Sequence, residues 1–233
     1  IVAKQLPQKK SLLFEFLNFF PFSLTKSQVK VLDEIKKDLS NTVPMSRLLQ
    51  GDVGSGKTII AIASLLIVIE KNLQGAFMVP TEVLAEQHYK NLLKYLNPLL
   101  VSVELLTGNT TQKKRQEILS NLKNGLVDIL VGTHALFEDK VIFNSLGMVV
   151  IDEQHRFGVT QRNKLLNKGD NTNLLSMTAT PIPRTLALAL YGDLDISQIT
   201  ELPPGRVPIT TKIISEDELN NLFKIVEAEI IKG

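Results

Sequence analysis

The chain has 233 residues, of which 44% are hydrophobic, and its formal net charge is +2. This apolar content is enough for a sizeable core, while the nearly balanced charge gives no general argument for nucleic-acid binding. The absence of cysteine excludes disulfides and thiolate metal sites, and it agrees with a cytoplasmic location.

The first 21 residues predict a linker followed by a short helix with an aromatic face. That face needs a partner, which is either the core of the same domain or a domain missing from this chain. The boundary that we assign places residues 1–21 with a missing N-terminal domain.

The next helix begins near residue 25, where Thr25 and Gln28 have the spacing of a capping box. Gln28 has a second interpretation, because its side-chain amide both donates and accepts hydrogen bonds and is able to recognise adenine. The two roles use the same side chain, and the sequence leaves both open.

Residues 51–58 have the P-loop spacing G-x-x-x-x-G-K-[ST], between a short apolar strand and an apolar helix. In this pattern, backbone N–H groups surround phosphate oxygens, Lys57 reaches the β- and γ-phosphates, and the Thr58 hydroxyl holds Mg²⁺. The candidate nucleotide-binding residues are Thr25, Gln28, Gly51, Asp52, Val53, Gly54, Ser55, Gly56, Lys57 and Thr58.

Apolar segments then alternate with amphipathic helices. The strands are predicted near residues 74–79, 101–106, 127–131, 147–151 and 174–177. This alternation predicts an α/β fold with a mostly parallel sheet and helices on both faces. Polar residues follow each strand, and ligands of such sheets bind beyond the carboxyl ends of the strands.

Two adjacent carboxylates, Asp152 and Glu153, follow the strand near residues 147–151. In a P-loop ATPase, Asp152 helps to hold Mg²⁺ and Glu153 orients or deprotonates the attacking water. We therefore predict that Lys57, Asp152 and Glu153 form the catalytic set, with Thr58 and Asp152 as the magnesium ligands. The sequence predicts that they meet in one pocket.

These residues belong to an ordered set of motifs that resembles superfamily 2 helicases: GDVGSGKT, PTEVLAEQH, TG, GTHAL, DEQH and SMTATPIPRTL. The segments DEQHRFGV and TATPIPRTLAL are similar to the bacterial branch-migration DNA helicases. The related transcription-repair coupling translocases usually have DEEQRFGV, so they are the second choice. The resemblance implies a RecA-like P-loop fold, ATP and Mg²⁺ as cofactors, and branched or forked DNA as the partner.

The resemblance also implies roles for residues at the other strand ends. The residues implied to couple nucleotide state to DNA contact are Gln154, His155, Thr178, Ala179 and Thr180. The residues implied to lie along one DNA strand are Pro80, Thr81, Glu82, Thr107, Gly108, Thr133 and His134. Contacts of this kind go to phosphates and do not read sequence.

On this basis, residues 22–202 are the first RecA-like helicase domain, and residues 203–233 are a linker with the first strand and helix of a second. Family arginine fingers come from that second domain, so we expect weak ATP binding and poor hydrolysis by this chain alone. The longest apolar run, residues 59–69, is too short to span a bilayer, so no membrane partner is expected.

The main alternative is a P-loop kinase or ATPase that does not act on nucleic acid. It leaves the motifs at residues 132–134 and 178–180 unexplained.

Overall fold

The structure, a computed structural model, describes residues 11–19, 23–153, 156–180, 194–201 and 219–232. The helices and strands, which alternate from β1 to β4, are α1 Leu12–Asn18, α2 Lys26–Asp38, β1 Ser46–Gly51, α3 Lys57–Ile69, β2 Gln74–Met78, α4 Glu82–Leu96, β3 Val103–Leu106, α5 Gln112–Lys123, β4 Ile129–Gly132, β5 Leu146–Ile151, α6 Val159–Leu166, β6 Asn173–Thr178, β7 Asp195–Ile199 and α7 Leu219–Lys232. None of these helices combines the length and the apolar character that crossing a membrane requires.

The strands form one sheet in the order β3-β4-β2-β5-β6-β1-β7, and every neighbouring pair is parallel. The predicted α/β fold is therefore confirmed. Because all of these strands run in one direction, their carboxyl ends lie along a single edge of the sheet. The P-loop follows β1 at this edge, and the two acidic residues follow β5.

Two apolar clusters cover the two faces of the sheet. Residues of β5 alternate between them, with Met148 and Val150 in the cluster that includes α3 and α4, and Val149 and Ile151 in the cluster that includes α5 and α6. This alternation follows from the two-residue period of a strand. The sheet is thus buried on both sides, as is typical of parallel sheets.

Helix α1 packs on the α3 side of the sheet. Phe16 is fully buried in that cluster and meets the ring of Tyr95 edge-on, with 6.2 Å between the ring centroids. Phe14 and Phe19 stay exposed on the same helix. Of the two partners considered for the aromatic face, Phe16 therefore uses the core of this domain.

A buried arginine joins β1 to the edge strand β7 and to α2. Arg47 donates to Asp38 (Nε–Oδ2, 2.8 Å) and to the hydroxyl of Ser197 on β7 (Nη1–Oγ, 2.7 Å). Its Nη1 also lies 3.4 Å from Glu34 Oε2, and Ser197 donates a short hydrogen bond to the same carboxylate. Strand β7 was not predicted, and this network helps to hold it on the sheet beside the P-loop strand.

Arg47→Ala is expected to lower the free energy of unfolding by about 3 kcal/mol, because it leaves the partly buried carboxylates of Asp38 and Glu34 and the buried hydroxyl of Ser197 without their cation. The matched control is Lys36→Ala, which breaks an exposed ion pair with Asp33 and is expected to change stability by less than about 0.5 kcal/mol. Urea unfolding followed by circular dichroism measures both variants. Equal effects of the two substitutions would contradict a structural role for the buried network.

Candidate functional site

The residues predicted to form the catalytic set come together in one cleft of about 520 Å³ at the carboxyl edge of the sheet. Lys57 and Thr58 begin α3 on one side of the cleft, and Asp152 and Glu153 follow β5 on another. The predicted convergence of the amine and the two acids is therefore what the structure shows. Gly54, Gly56 and Val53 of the P-loop line the same cleft.

Lys57 folds onto the backbone of its own loop. Its ammonium donates to the carbonyl oxygens of Gly51 (2.6 Å) and Asp52 (2.9 Å). Burial lowers the pKa of Lys57, and the charges of Asp152 and Glu153 act in the opposite direction. A phosphate that binds here competes with two carbonyl groups for one half-buried cation.

Gln28 ties helix α2 to the P-loop. Its side-chain oxygen accepts from the backbone N–H of Thr25 (2.9 Å), which completes the predicted capping box, and its side-chain nitrogen donates to the carbonyl of Ser55 (2.7 Å). The contact is close, because a Cβ added to Gly56, whose φ is +91°, would lie 2.3 Å from that nitrogen. Gln28 is 1% exposed.

The contacts of Gln28 test one of its two interpretations. Capping is confirmed, and both polar atoms of its side chain already have protein partners. A glutamine amide has two N–H donors and an oxygen with two lone pairs, so these contacts do not test recognition of adenine, which stays a prediction. In this conformation Gln28 joins the start of α2 to the P-loop.

The acidic pair sits in a strained turn. Glu153 has φ +52°, which is the left-handed region that side chains other than glycine seldom adopt. The turn is held by Asp152, whose backbone N–H donates to Met78 of β2 (2.9 Å) and whose Oδ1 accepts from the N–H of Glu153 (3.0 Å). Strain of this kind, of the order of 1–3 kcal/mol, is concentrated at functional positions.

One residue of this site was missed by the sequence analysis. His88 of α4 places Nε2 3.0 Å from Oδ2 of Asp152, so the second carboxylate oxygen is also held. The histidine is 64 residues away in sequence and belongs to no metal-ligand spacing. Two signals were available: His88 ends the motif PTEVLAEQH, and it lies on the inward face of α4, although helical periodicity counts only apolar residues.

The donors at the cleft suit magnesium. Mg²⁺ in nucleotide sites is bound through one or two carboxylates, phosphates and water, rather than through a full cage of protein ligands. The hydroxyl of Thr58 and the carboxylate of Asp152 line the same cleft and supply that donor set.

The residues predicted to couple the nucleotide to DNA are only partly described. Gln154 and His155 lie outside the described residues. Thr178 ends β6 with its side chain buried, and its hydroxyl lies 2.8 Å from that of Thr180. Ala179, between them, lines the nucleotide cleft. Their coupling role stays a prediction.

The predicted DNA-contacting residues follow β2, β3 and β4, which are adjacent strands at one end of the sheet. The nucleotide residues follow β1 and β5, on the other side of the β2–β5 boundary. Pro80 and Thr81 lead into α4, and the hydroxyl of Thr81 accepts from the N–H of Leu84 (3.3 Å). His134 is exposed and its ring lies against Phe157, 5.7 Å between centroids.

Not all of these groups are open to a phosphate. Glu82 accepts from the backbone N–H of Gly108 (2.8 Å) and makes a short hydrogen bond with the side chain of Asn109. The side chains of Thr107 and Thr133 are buried. The backbone amide of Gly108 is therefore paired with Glu82 in this conformation, and this contact joins two of the predicted DNA motifs. Their role in DNA binding stays a prediction.

The sequence model of the DEAD/DEAH box helicase family matches residues 25–189. This match extends over more than half of the chain and includes both the P-loop and the acidic pair. The chain belongs to the DEAD/DEAH box helicase family.

Within that family, the chain is similar to ATP-dependent DNA helicase RecG. It is 54% identical to RecG of Synechocystis over 222 residues, which is 95% of this chain and 27% of the relative. It is 51% identical to RecG of Bacillus subtilis over 221 residues, which is 95% of this chain and 32% of the relative. The chain thus spans about a third or less of the length of these relatives.

A solved structure of RecG bound to a three-way DNA junction has the same fold, with a TM-score of 0.85 and 45% sequence identity. The match covers 95% of this chain and 30% of that one. The resemblance to superfamily 2 branch-migration helicases that the motifs indicated is confirmed by these similarities. The likeness to the coupling translocases is not favoured.

Gln28→Ala is expected to cost about 2 kcal/mol of stability, because it leaves the Thr25 amide and the Ser55 carbonyl unpaired. Gln28→Glu is the matched variant, since its carboxylate still accepts from Thr25 but opposes the carbonyl of Ser55. We expect weaker ATP binding in both variants, with less loss of stability in Gln28→Glu. Urea unfolding and equilibrium nucleotide titration measure the two effects, and native ATP affinity in Gln28→Glu would contradict control of the loop by Gln28.

Proposed function

We propose that this chain is the ATP-binding motor part of an ATP-dependent DNA helicase or translocase that acts on branched DNA. The observation that carries the proposal is the meeting of Lys57 with Asp152 and Glu153 in one cleft. A P-loop lysine and two acids at one sheet edge form the arrangement of phosphoryl-transfer motors. The related RecG proteins are named for DNA helicase activity.

The other half of the same edge supports DNA as the partner. The segments after β2, β3 and β4 are neighbours, and α4 begins there with its N-terminal N–H groups. Helix N-termini and backbone amides bind phosphates without reading bases, which suits a motor that moves along any sequence. Branched DNA is favoured because the RecG structure holds a three-way junction.

The residues of the chain divide the chemistry between them. Lys57 would exchange its two carbonyl partners for phosphate oxygens, and the P-loop amides would hold the rest of the triphosphate. Glu153 would orient the attacking water from its fixed turn. Thr58 and Asp152 would hold Mg²⁺, which when bound neutralises charge on the phosphates.

The biological role that we infer is replication fork reversal and Holliday junction branch migration in DNA repair and recombination, in the bacterial cytoplasm. This inference follows the identity with RecG and the junction-bound structure. It also requires a second RecA-like domain to supply an arginine finger.

Lys57→Ala is expected to weaken ATP binding at least about tenfold, because a charge-assisted hydrogen bond contributes roughly 1.5–3 kcal/mol. Glu153→Gln is its counterpart: we expect retained binding, with turnover reduced about 10²- to 10⁴-fold by loss of the base. Nucleotide titration and steady-state phosphate release separate the two. Unchanged turnover in Lys57→Ala, or lost binding in Glu153→Gln, would refute the assigned roles.

The ATPase rate of the intact protein with and without forked DNA tests the proposed function as a whole. We expect stimulation by a fork to exceed stimulation by linear duplex of the same length and sequence, since the proposal assigns branched DNA as substrate. The stimulation should fall as salt rises, because phosphate contacts release counterions. A rate that no DNA changes would favour a P-loop enzyme that does not act on nucleic acid.

A further inference from the structure

We propose that His88 is a positioning residue that fixes the carboxylate of Asp152 for magnesium binding. The inference rests on the proposed function, because it takes Asp152 as a ligand of Mg²⁺ in an ATP site. His88 is the last residue of the motif PTEVLAEQH, of which only Pro80, Thr81 and Glu82 were assigned a role, in DNA contact. It lies in α4, the helix that begins with the residues predicted to contact DNA.

Both carboxylate oxygens of Asp152 contact protein groups. Oδ2 lies 3.0 Å from Nε2 of His88, and Oδ1 accepts from the N–H of Glu153 at 3.0 Å. Each oxygen therefore has a protein partner, and together these contacts restrict rotation of the carboxylate about the Cβ–Cγ bond. Asp152 lines the same cleft as Lys57 and Thr58.

The imidazole ring of His88 is itself held by burial and by a ring contact. His88 is 8% exposed, and its ring lies over that of Phe77, with 4.8 Å between centroids and 36° between planes. Within the described part of the chain, Nδ1 is buried without a hydrogen-bond partner. The contact with Asp152 is therefore the polar contact that orients the ring, and it favours the tautomer that carries its proton on Nε2.

Packing against Phe77 does not by itself explain a histidine at position 88. A leucine at the same place would contact Phe77 and leave no buried polar atom without a partner. A histidine that donates to a metal-binding carboxylate is instead an outer-shell contact, which fixes the ligand and tunes its basicity. The buried, unpaired Nδ1 is the cost of having a donor at Nε2.

The experiment measures the affinity of the intact protein for a fluorescent ATP analogue, once with Mg²⁺ and once with EDTA. Glutamine and asparagine place an amide nitrogen near the positions of Nε2 and Nδ1 of histidine, respectively. We expect His88→Asn and His88→Leu to lose roughly tenfold or more of the Mg²⁺-dependent gain in affinity. We expect His88→Gln to keep most of that gain, and affinity in EDTA to stay unchanged in all three.

His88→Leu keeps the buried volume without a donor, so it reports on the contact even where His88→Asn fails to fold. Thermal unfolding confirms which variants are native. Retention of the Mg²⁺-dependent gain in His88→Leu, or equal losses with Mg²⁺ and with EDTA, would overturn the inference and leave the proposed function standing. If the ATP affinity of the unsubstituted protein does not depend on Mg²⁺, both the inference and the proposed function are overturned.

Discussion

The common direction of the strands is the constraint on which the site depends. A parallel strand cannot return by a tight hairpin, so the chain must cross back over a face of the sheet and re-enter at the same end. Every strand therefore ends at one edge, and α3 and α4 begin there. The N-termini of α3 and α4 both face this edge, where unpaired N–H groups and the helix dipole favour anions.

The strand order then divides that edge into the half with the P-loop and the half proposed to contact DNA. The P-loop follows β1 and the acidic pair follows β5, whereas the motifs proposed for DNA follow β2, β3 and β4. The boundary falls between β2 and β5. It is crossed by the hydrogen bond from Asp152 to Met78 and by the contact of His88 with Asp152. Asp152 is thus both a part of the nucleotide cleft and a link to the neighbouring half.

Sequence patterns predicted correctly the features that depend on residues close together in the chain. The capping box of Thr25 and Gln28 and the spacing of the P-loop depend on local geometry, and apolar strands in alternation with helices were enough for the fold class. Strand β7 was missed because Asp195–Ile199 is short and its buried Ser197 is stabilised by Arg47. An isolated pentapeptide with a buried serine gives no strand pattern.

The sequence patterns did not predict contacts between segments that are distant in the chain. The donation from Gln28 to Ser55 joins residues 27 apart, so the link between α2 and the P-loop is visible only in the folded chain. The same holds for Glu82, whose hydrogen bond with Gly108 joins residues 26 apart. Such partners are chosen by the packing of helices on the sheet, and periodicity within one element carries no information about them.

Helix α4 has a thermodynamic consequence for a motor of the proposed kind. Its first turn belongs to the half of the edge assigned to DNA, and His88, about 9 Å further along the axis at 1.5 Å per residue, contacts Asp152. A helix transmits displacement along its axis as a stiff rod, so occupancy at one end biases the geometry at the other. Linkage makes that bias reciprocal: by whatever factor a DNA strand tightens nucleotide binding through α4, the nucleotide must tighten the grip on DNA.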